Sequence, residues 1–169
     1  MPQEIDVRPA ERQDLPRVQA IHQHYVSLGS ATLEEEPRPA QAWQALLDRL
    51  AEGSLPFLVT AADDTVTGFI YAAPMHPGPA HRHVAQVSVY LAPDAVGRGV
   101  GSRLMSRFLQ EARAAGLREI IALVNDMGSE STVRFLKRHG YTEAGRLRGM
   151  GMKDGQAIDT LLLQRSLGH

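Results

Sequence analysis

The hydrophobic positions along the chain follow two spacings, one typical of helices and the other typical of strands. In four segments the apolar residues recur every three or four positions, and a glycine stands at the end of each segment. Asp14 is the predicted N-cap of the first helix, because its side chain can accept hydrogen bonds from the free N–H groups there. The spacing predicts amphipathic helices over residues 14–29, 39–53, 100–116 and 129–140.

The strand-like segments are shorter and richer in β-branched and aromatic residues. The run over 56–74 divides around Asp63 and Asp64, which predicts two strands joined by a tight hairpin. Residues 118–124 include a continuous apolar run, which is typical of a buried strand. The remaining predicted strands cover residues 4–10, 83–93, 141–147 and 158–167.

The order of these elements predicts one domain. Strand, helix and strand follow one another over residues 83–124, which makes one βαβ unit with parallel strands. The flanking hairpin strands are antiparallel by construction. Because a chain of 169 residues is long enough to bury a hydrophobic core, we predict a single α/β domain built on a mixed sheet.

Composition removes several classes of function. The chain has no cysteine, which excludes thiolate catalysis, disulfides and cysteine-bound zinc. Its formal net charge of −1 creates no overall field for nucleic acid or anionic lipid. No segment approaches the roughly 20 apolar residues that span a bilayer, and the start lacks a secretory signal. We therefore predict a cytoplasmic protein that binds small molecules and neither nucleic acid nor membranes.

Three glycines at alternate positions, Gly97, Gly99 and Gly101, separate one predicted strand from the third helix. Glycine weakens regular structure, so this arrangement indicates a need for bare backbone. The first N–H groups of a helix have no internal partners and attract anions. Because Arg98 and Arg103 add positive charge beside them, we predict a phosphate-binding loop here.

The same loop fits part of a dinucleotide-binding pattern, whose sixth position is glycine where this chain has Ser102. Asp126 follows the next strand, near the place where such proteins carry an acid that binds ribose. A nicotinamide- or flavin-nucleotide-binding domain therefore stays as an alternative. The Gly-Lys-Ser/Thr ending of a P-loop is absent.

A long polar segment, residues 27–39, joins the first two helices. It is rich in Gly, Ser and Pro, and loops of this length often carry function. We predict that it contacts substrate through Leu33 and Glu34. His81, which precedes the 83–93 strand, is a third predicted substrate-binding residue.

The other histidines give less indication of function. His22 and His24, on the first helix, are predicted surface residues. A loop segment holds three histidines without a set of carboxylates beside them, which does not predict a metal site: His76, His81 and His83.

Four segments carry a resemblance to a known family. They are VRPAERQDL (7–15), SVYLAPDAVGRGVGSRLM (88–105), FLKRHGY (135–141) and GMKDGQAIDTLLLQRSL (151–167). The chain resembles the GNAT superfamily of acyl-CoA-dependent N-acyltransferases, and within it the branch of phosphinothricin acetyltransferase and the amino-acid N-acyltransferases. The resemblance covers almost the whole chain. It implies a single α/β domain with α+β layers, in which about four helices flank a central mixed, mostly antiparallel sheet of about seven strands.

The resemblance also implies a site for acetyl-CoA as co-substrate. The backbone of Val89 to Leu91 would pair with the pantetheine arm, and the N–H groups of Gly97 to Ser102 would hold the pyrophosphate. The implied cofactor-binding residues are Val89, Tyr90, Leu91, Gly97, Arg98, Gly99, Val100, Gly101, Ser102 and Ser129.

Several positions depart from the family pattern. Gln86 occupies the implied catalytic position, where the branch carries a glutamate that deprotonates the amine. Val96 stands where the glycine motif usually opens with Arg or Gln. In the fourth helix, positions that often hold Asn, Ser and then Tyr or His are here Ser129, Thr132 and Leu136.

The function that the resemblance implies is transfer of an acetyl group from acetyl-CoA to the amine of a small molecule, such as an amino acid or a similar compound. The amine would attack directly within a ternary complex, without a metal, and the enzyme would be a homodimer. Since Gln86 cannot accept a proton, we predict a preference for weakly basic amines. The alternative is an acyl-CoA-binding module that has lost catalysis.

Overall fold

The computed structural model describes residues 4–29 and 31–168, and these ranges contain four helices and seven strands. The helices are α1 (Leu15–Leu28), α2 (Ala40–Glu52), α3 (Val100–Ala114) and α4 (Glu130–Arg138). The strands are β1 (Asp6–Pro9), β2 (Phe57–Ala62), β3 (Thr65–Pro74), β4 (Val84–Leu91), β5 (Glu119–Asn125), β6 (Thr142–Lys153) and β7 (Gln156–Ser166). The predicted mixed sheet with flanking helices is confirmed.

All seven strands lie in one sheet, in the order β1-β2-β3-β4-β5-β7-β6. The β4–β5 pair is parallel and the other neighbouring pairs are antiparallel. This parallel pair follows from the βαβ connection through α3. The pairing runs only from Val84 opposite Glu119 to Val87 opposite Ala122. Beyond that point β4 continues against β3 and β5 continues against β7, so the two strands diverge and leave a wedge in the sheet.

Each face of the sheet is covered by two helices, and the buried residues form two hydrophobic clusters. On one face Leu104 and Phe108 of α3 and Leu136 of α4 pack against the sheet. On the other, Ile21 of α1 and Trp43 of α2 pack against β2 and β3. The predicted apolar faces of the helices are therefore confirmed. Burial of each such side chain contributes about 1.5–3 kcal/mol of stability.

The hairpin between β2 and β3 forms at the predicted place. Asp63 and Asp64 have φ values of 48° and 62°, so both central residues occupy the left-handed region. A two-residue turn of this kind matches the twist of antiparallel strands. Aspartate tolerates the conformation better than most residues with a side chain.

Asp14 occupies the N-cap position of α1, as predicted, but its side chain does not make the expected capping hydrogen bond. Its carboxylate instead accepts hydrogen bonds from Arg8 Nη1 and Nη2 at 2.7 and 2.8 Å, and from the Glu11 N–H at 2.8 Å. The carboxylate is therefore directed at Arg8 and the Glu11 N–H, and not at the first N–H groups of α1.

Two strand predictions also need correction. β6 runs to Lys153 instead of ending at residue 147, because irregular pairing between Leu147 and Gly151 breaks the alternation that a sequence pattern requires. β5 is not buried along its whole length, since Leu123 is 37% exposed. At Leu123 the neighbouring strand β4 has already diverged, so one side of β5 faces the wedge.

Candidate active site

The wedge between β4 and β5 opens into a cavity of about 760 Å³. Its walls come from both strands, from the start of α4, and from the segment between α1 and α2. The residues that line it are Tyr25, Ala31, Thr32, Leu33, Glu34, Arg38, Gln86, Val87, Ser88, Val89, Tyr90, Ala122, Leu123, Val124, Asn125, Met127, Gly128, Ser129, Ser131, Thr132, Leu136, Leu147, Met150 and Thr160. A volume of this size suits a small organic molecule.

The diverging end of β4 provides an unpaired backbone edge along one wall. Val89 and Tyr90, two of the predicted cofactor-binding residues, lie on this wall. Leu91 does not line the cavity, and its carbonyl accepts a hydrogen bond from the Tyr25 hydroxyl of α1. Burial, the largest influence, raises the pKa of Tyr90 to about 12, so its hydroxyl stays protonated at neutral pH.

The glycine loop lies between β4 and α3, and its glycines serve two purposes. Gly97 and Gly99 have φ values of 80° and 77°, and a β-carbon on either would contact nothing within 4 Å. Left-handed backbone that faces open space presents its N–H groups outward. Gly101 differs, since a β-carbon there would lie 3.2 Å from Leu91 Cδ1 and 3.3 Å from Phe135 Cε2. It lets α3 pack closely against β4 and α4.

The first turn of α3 completes the loop. The Gly99 carbonyl already accepts the Arg103 N–H at 3.2 Å. Val100 is buried, so only its backbone is presented to the loop, whereas Arg98 is exposed. Ser102 Oγ lies 3.2 Å from His139 Nε2 of the segment after α4. The start of α3 and the end of α4 are therefore in contact.

The base of the cavity lacks the groups that usually move protons. Gln86 lies on the β4 wall, and Leu136 on α4 is 1% exposed and apolar. Ser129 precedes α4 without making a capping hydrogen bond through its side chain. Glu34 and Arg38 are the charged residues among the described lining residues.

The predicted substrate loop does reach the cavity, although its Ser30 lies outside the described residues. Leu33 and Glu34 both line the wall. Arg38 donates from Nε to Glu34 Oε1 at 2.8 Å and from Nη1 to the Tyr71 hydroxyl at 3.0 Å. Its guanidinium also lies 4.9 Å from the centre of the Trp43 ring. These contacts fix the loop against the body of the domain.

The prediction that His22 lies on the surface is wrong. Its side chain is 1% exposed, and Nε2 lies 2.6 Å from Glu34 Oε2. The rings of Trp43 and Tyr90 each lie 5.2 Å away in edge-on geometry. The helical period contains the signal for this burial, because His22 lies one turn after the fully buried Val18.

Comparisons with known proteins identify the fold and the chemistry. A sequence profile of the acetyltransferase (GNAT) family matches residues 18–141. The chain belongs to this family. It is 36% identical over 161 residues to a phosphinothricin N-acetyltransferase of Alcaligenes faecalis, covering 95% of this chain and 82% of that protein.

Two further relatives support the same family. An L-methionine sulfoximine/L-methionine sulfone acetyltransferase of Pseudomonas aeruginosa is 29% identical over 162 residues, with 95% of this chain and 94% of that protein covered. The solved structure of a GNAT superfamily phosphinothricin acetyltransferase from Sinorhizobium meliloti, in complex with AcCoA, matches with a TM-score of 0.90 and 29% identity. The match covers 97% of this chain and 89% of that one. The predicted N-acetyltransferase class and acetyl-CoA as co-substrate are confirmed.

In this GNAT enzyme the third predicted substrate residue lies away from the cavity. His81 is exposed in a short 3-10 turn, Pro79–His81, and does not line the wall. Its ring lies 4.6 Å from that of His76. Within residues 4–29 and 31–168 no group of three or more histidine, aspartate or glutamate side chains is placed to hold a metal ion.

The dinucleotide-binding alternative loses its main support in the GNAT fold. The Asp126 carboxylate pairs with Arg146 Nη1 at 2.8 Å, and the same nitrogen contacts Asp159 at 2.9 Å. The Asp126 carboxylate is therefore already paired with Arg146 within the protein. None of the helices in the described ranges is both long enough and apolar enough to cross a membrane.

Proposed function

We propose that the protein acetylates the amine of a small amino-acid-like compound in the wedge between β4 and β5. The observation that carries this proposal is the end of strand pairing at Val87 and Ala122. Divergence at this point creates a backbone edge for one extended reactant beside space for a second. An acetyl donor and an amine can therefore meet within one site.

Acetyl-CoA is expected to enter along β4. The outward N–H groups from Gly97 to Ser102 would hold its pyrophosphate, helped by the positive end of α3. The pantetheine arm would then extend along Val89 and Tyr90. Ser129, before α4, lines the same cavity.

Positioning is the main catalytic effect that this site offers. Holding two reactants in an aligned geometry lowers a barrier by about 7–11 kcal/mol. General base catalysis contributes about 10²–10⁴-fold, which is less. The replacement of a glutamate by Gln86 therefore reduces the rate without removing the activity.

The acceptor is proposed from the relatives and from the charges in the cavity. Phosphinothricin and methionine sulfoximine are named for two of the relatives, and both are amino-acid-like compounds. Arg38 lines the cavity and offers a cation to an acid group of such a compound. Glu34, beside it, offers an anion to the amine.

The test is turnover of acetyl-CoA with a panel of acceptors, followed as release of free thiol. The panel contains phosphinothricin, L-methionine sulfoximine, the proteinogenic amino acids and simple amines without an acid group. We expect turnover with acid-bearing members and a loss of preference for them in Arg38→Gln. Thermal stabilisation by acetyl-CoA without turnover of any member would support the acyl-CoA-binding module instead.

A homodimer is proposed on separate grounds. β6 is an edge strand with three exposed apolar side chains, Leu147, Met150 and Met152, of which Met150 is 65% exposed. Leu147 and Met150 also line the cavity, so a second copy would close it from this side. Light scattering should give twice the chain mass of 18.5 kDa.

The cytoplasmic location stays a prediction, to be checked by cell fractionation.

A further inference from the structure

The acceptor amine must lose a proton before it can attack, and the family's usual base is absent. Under the proposed function the acceptor enters the wedge as an ammonium ion. Gln86 carries a neutral amide, which cannot accept this proton. Among the described lining residues, Glu34 is the one that bears a carboxylate.

The two oxygens of Glu34 have different partners. Oε1 accepts a hydrogen bond from Arg38 Nε at 2.8 Å. Oε2 lies 2.6 Å from His22 Nε2. The Glu34 N–H also donates to Thr32 Oγ1 at 3.2 Å, which fixes the backbone of the loop. The carboxylate therefore connects the cavity to a histidine behind it.

His22 is built into the protein at this place. Its Nε2 is buried and lies 2.6 Å from Glu34 Oε2. Two lone pairs cannot face each other at this distance, so Nε2 carries its hydrogen toward the carboxylate. His22 therefore holds the Glu34 carboxylate in place.

The groups that face His22 come from each element packed against it. Glu34 and Arg38 approach from the loop, Tyr90 from β4, and Trp43 from α2. Burial is the largest influence and lowers the pKa of His22 below 6.5; Glu34 opposes this shift and Arg38 adds to it. The imidazole is therefore neutral at pH 7.

We propose that Glu34 accepts the proton of the acceptor ammonium, in the role for which Gln86 is unsuited, and that His22 positions the Glu34 carboxylate. Glu34 takes one proton from the ammonium and later releases it to solvent. The freed lone pair on nitrogen forms the C–N bond to the thioester carbonyl carbon. The C–S bond then breaks with its electron pair on sulfur, and the second amine proton ends on that sulfur as free CoA thiol.

The experiment compares Glu34→Gln and His22→Gln with the wild type and with His24→Gln, a neighbour on α1 that does not line the cavity. kcat is measured from pH 6 to pH 10 with acetyl-CoA and L-methionine sulfoximine, or with the best acceptor of the panel. We expect both variants to lose about 10²-fold in kcat at pH 7. The loss should shrink as the pH approaches the acceptor's own pKa, because the amine then arrives neutral. His24→Gln should follow the wild type throughout.

Two further readouts separate this role from a structural one. Adding Gln86→Glu to Glu34→Gln should restore most of the lost kcat, since a carboxylate returns to the opposite wall. NMR titration of the ligand-free protein should give His22 a pKa below 6.5. The pKa of His22 should be lower still in Glu34→Gln, because this variant has lost the anion that raises it. His24→Gln should leave the His22 titration unchanged.

Opposite results overturn the proposal in distinguishable ways. A loss of kcat that is constant from pH 6 to pH 10 excludes the proton-accepting role of Glu34, and a His22→Gln variant within about twofold of the wild type excludes the positioning role of His22. The acetyltransferase stands in both cases. An unchanged His22 titration in Glu34→Gln shows that the pair is not coupled. A wild-type protein that turns over no acceptor refutes the proposed function itself, and this role with it.

Discussion

Leu33 packs its Cδ1 methyl directly against the bare backbone of Gly151, so the loop before α2 touches the edge strand β6. A β-carbon on Gly151 would overlap this methyl. Leu33 lines the cavity on the side where we propose that the acceptor binds, whereas Gly151 does not line it. A change on β6 can therefore alter the cavity through one side chain.

Gly151→Ala should change the KM of the acceptor and leave the KM of acetyl-CoA as it was. The new methyl forces Leu33 to move, and overpacking of this kind has an effect of about 1 kcal/mol, or about fivefold in KM. Steady-state kinetics with each substrate varied in turn measures both constants. Gly145→Ala on the same strand is the control, since its β-carbon would meet Leu162 Cδ1 at an ordinary 3.6 Å. An equal effect of both variants on acceptor KM would contradict the proposed contact.

The helical faces could be predicted from sequence because each follows from spacing alone. Leu104 and Phe108 repeat every four residues and both are fully buried. The wedge between β4 and β5 could not be predicted from sequence, since Val89 and Leu91 keep the same alternation after β4 has diverged from β5. Divergence depends on which strand lies alongside, and a local pattern carries no such information.

The side-chain contacts of the site were also beyond the sequence pattern, for two reasons. Glu34 belongs to a loop, and no period determines the path of a loop toward His22. The position of Asp14 predicts a helix cap, yet Arg8 on β1 binds its carboxylate instead. A charged partner close to the residue outweighs its preference for the cap.

Gly99→Ala should weaken binding of acetyl-CoA by at least about tenfold, which corresponds to about 1.4 kcal/mol. The left-handed backbone at Gly99 is unfavourable for alanine by about 1–2 kcal/mol, and a methyl group would stand where phosphate is expected. Isothermal titration calorimetry with acetyl-CoA measures the loss of affinity, and thermal unfolding measures the loss of stability.

The control for this loop is Gly116→Ala, which lies beyond the far end of α3. Gly116 also has a positive φ, 87°, and open space around its β-carbon position. It should lose similar stability while the affinity for acetyl-CoA stays within about twofold of the wild type, because the two sites are far apart. If Gly99→Ala binds as tightly as Gly116→Ala does, the glycine loop does not hold the cofactor.

Asp14→Asn should lower the free energy of unfolding at pH 7 by about 1.5–3 kcal/mol, the usual worth of a hydrogen bond to a charged group. Hydrogen bonds from Arg8 are the largest influence and hold the pKa of Asp14 below 3.8. A carboxyl whose pKa is lower in the folded state stabilises the protein above its unfolded pKa, and this contribution is lost as the pH falls through the folded value. The difference between wild type and Asp14→Asn in urea unfolding should therefore narrow below about pH 4.

Asp48→Asn is the matched control for that experiment. Asp48 pairs with Arg12 at 3.1 Å, but both side chains are more than half exposed. An exposed ion pair contributes little, so the variant should unfold within about 0.5 kcal/mol of the wild type at every pH. A difference in unfolding free energy between Asp14→Asn and wild type that stays the same from pH 7 to pH 2 would show that the shape of Asp14, and not its charge, stabilises the fold.

Gln86→Glu should raise kcat at pH 7 by about tenfold or more, because a carboxylate on the β4 wall can take the proton of the acceptor. The gain should depend on the acceptor. Neutralising an amine of pKa about 10.4 at pH 7 requires about 4.6 kcal/mol, against about 1 kcal/mol for an amine near 7.8. The more basic amine should therefore gain more, which rate measurements with two such acceptors of equal size can show.

Gln156→Glu makes the same charge change at an exposed position outside the cavity and should leave both rates as they were. Equal gains for the two amines would mean that the new carboxylate acts on binding and not on proton transfer.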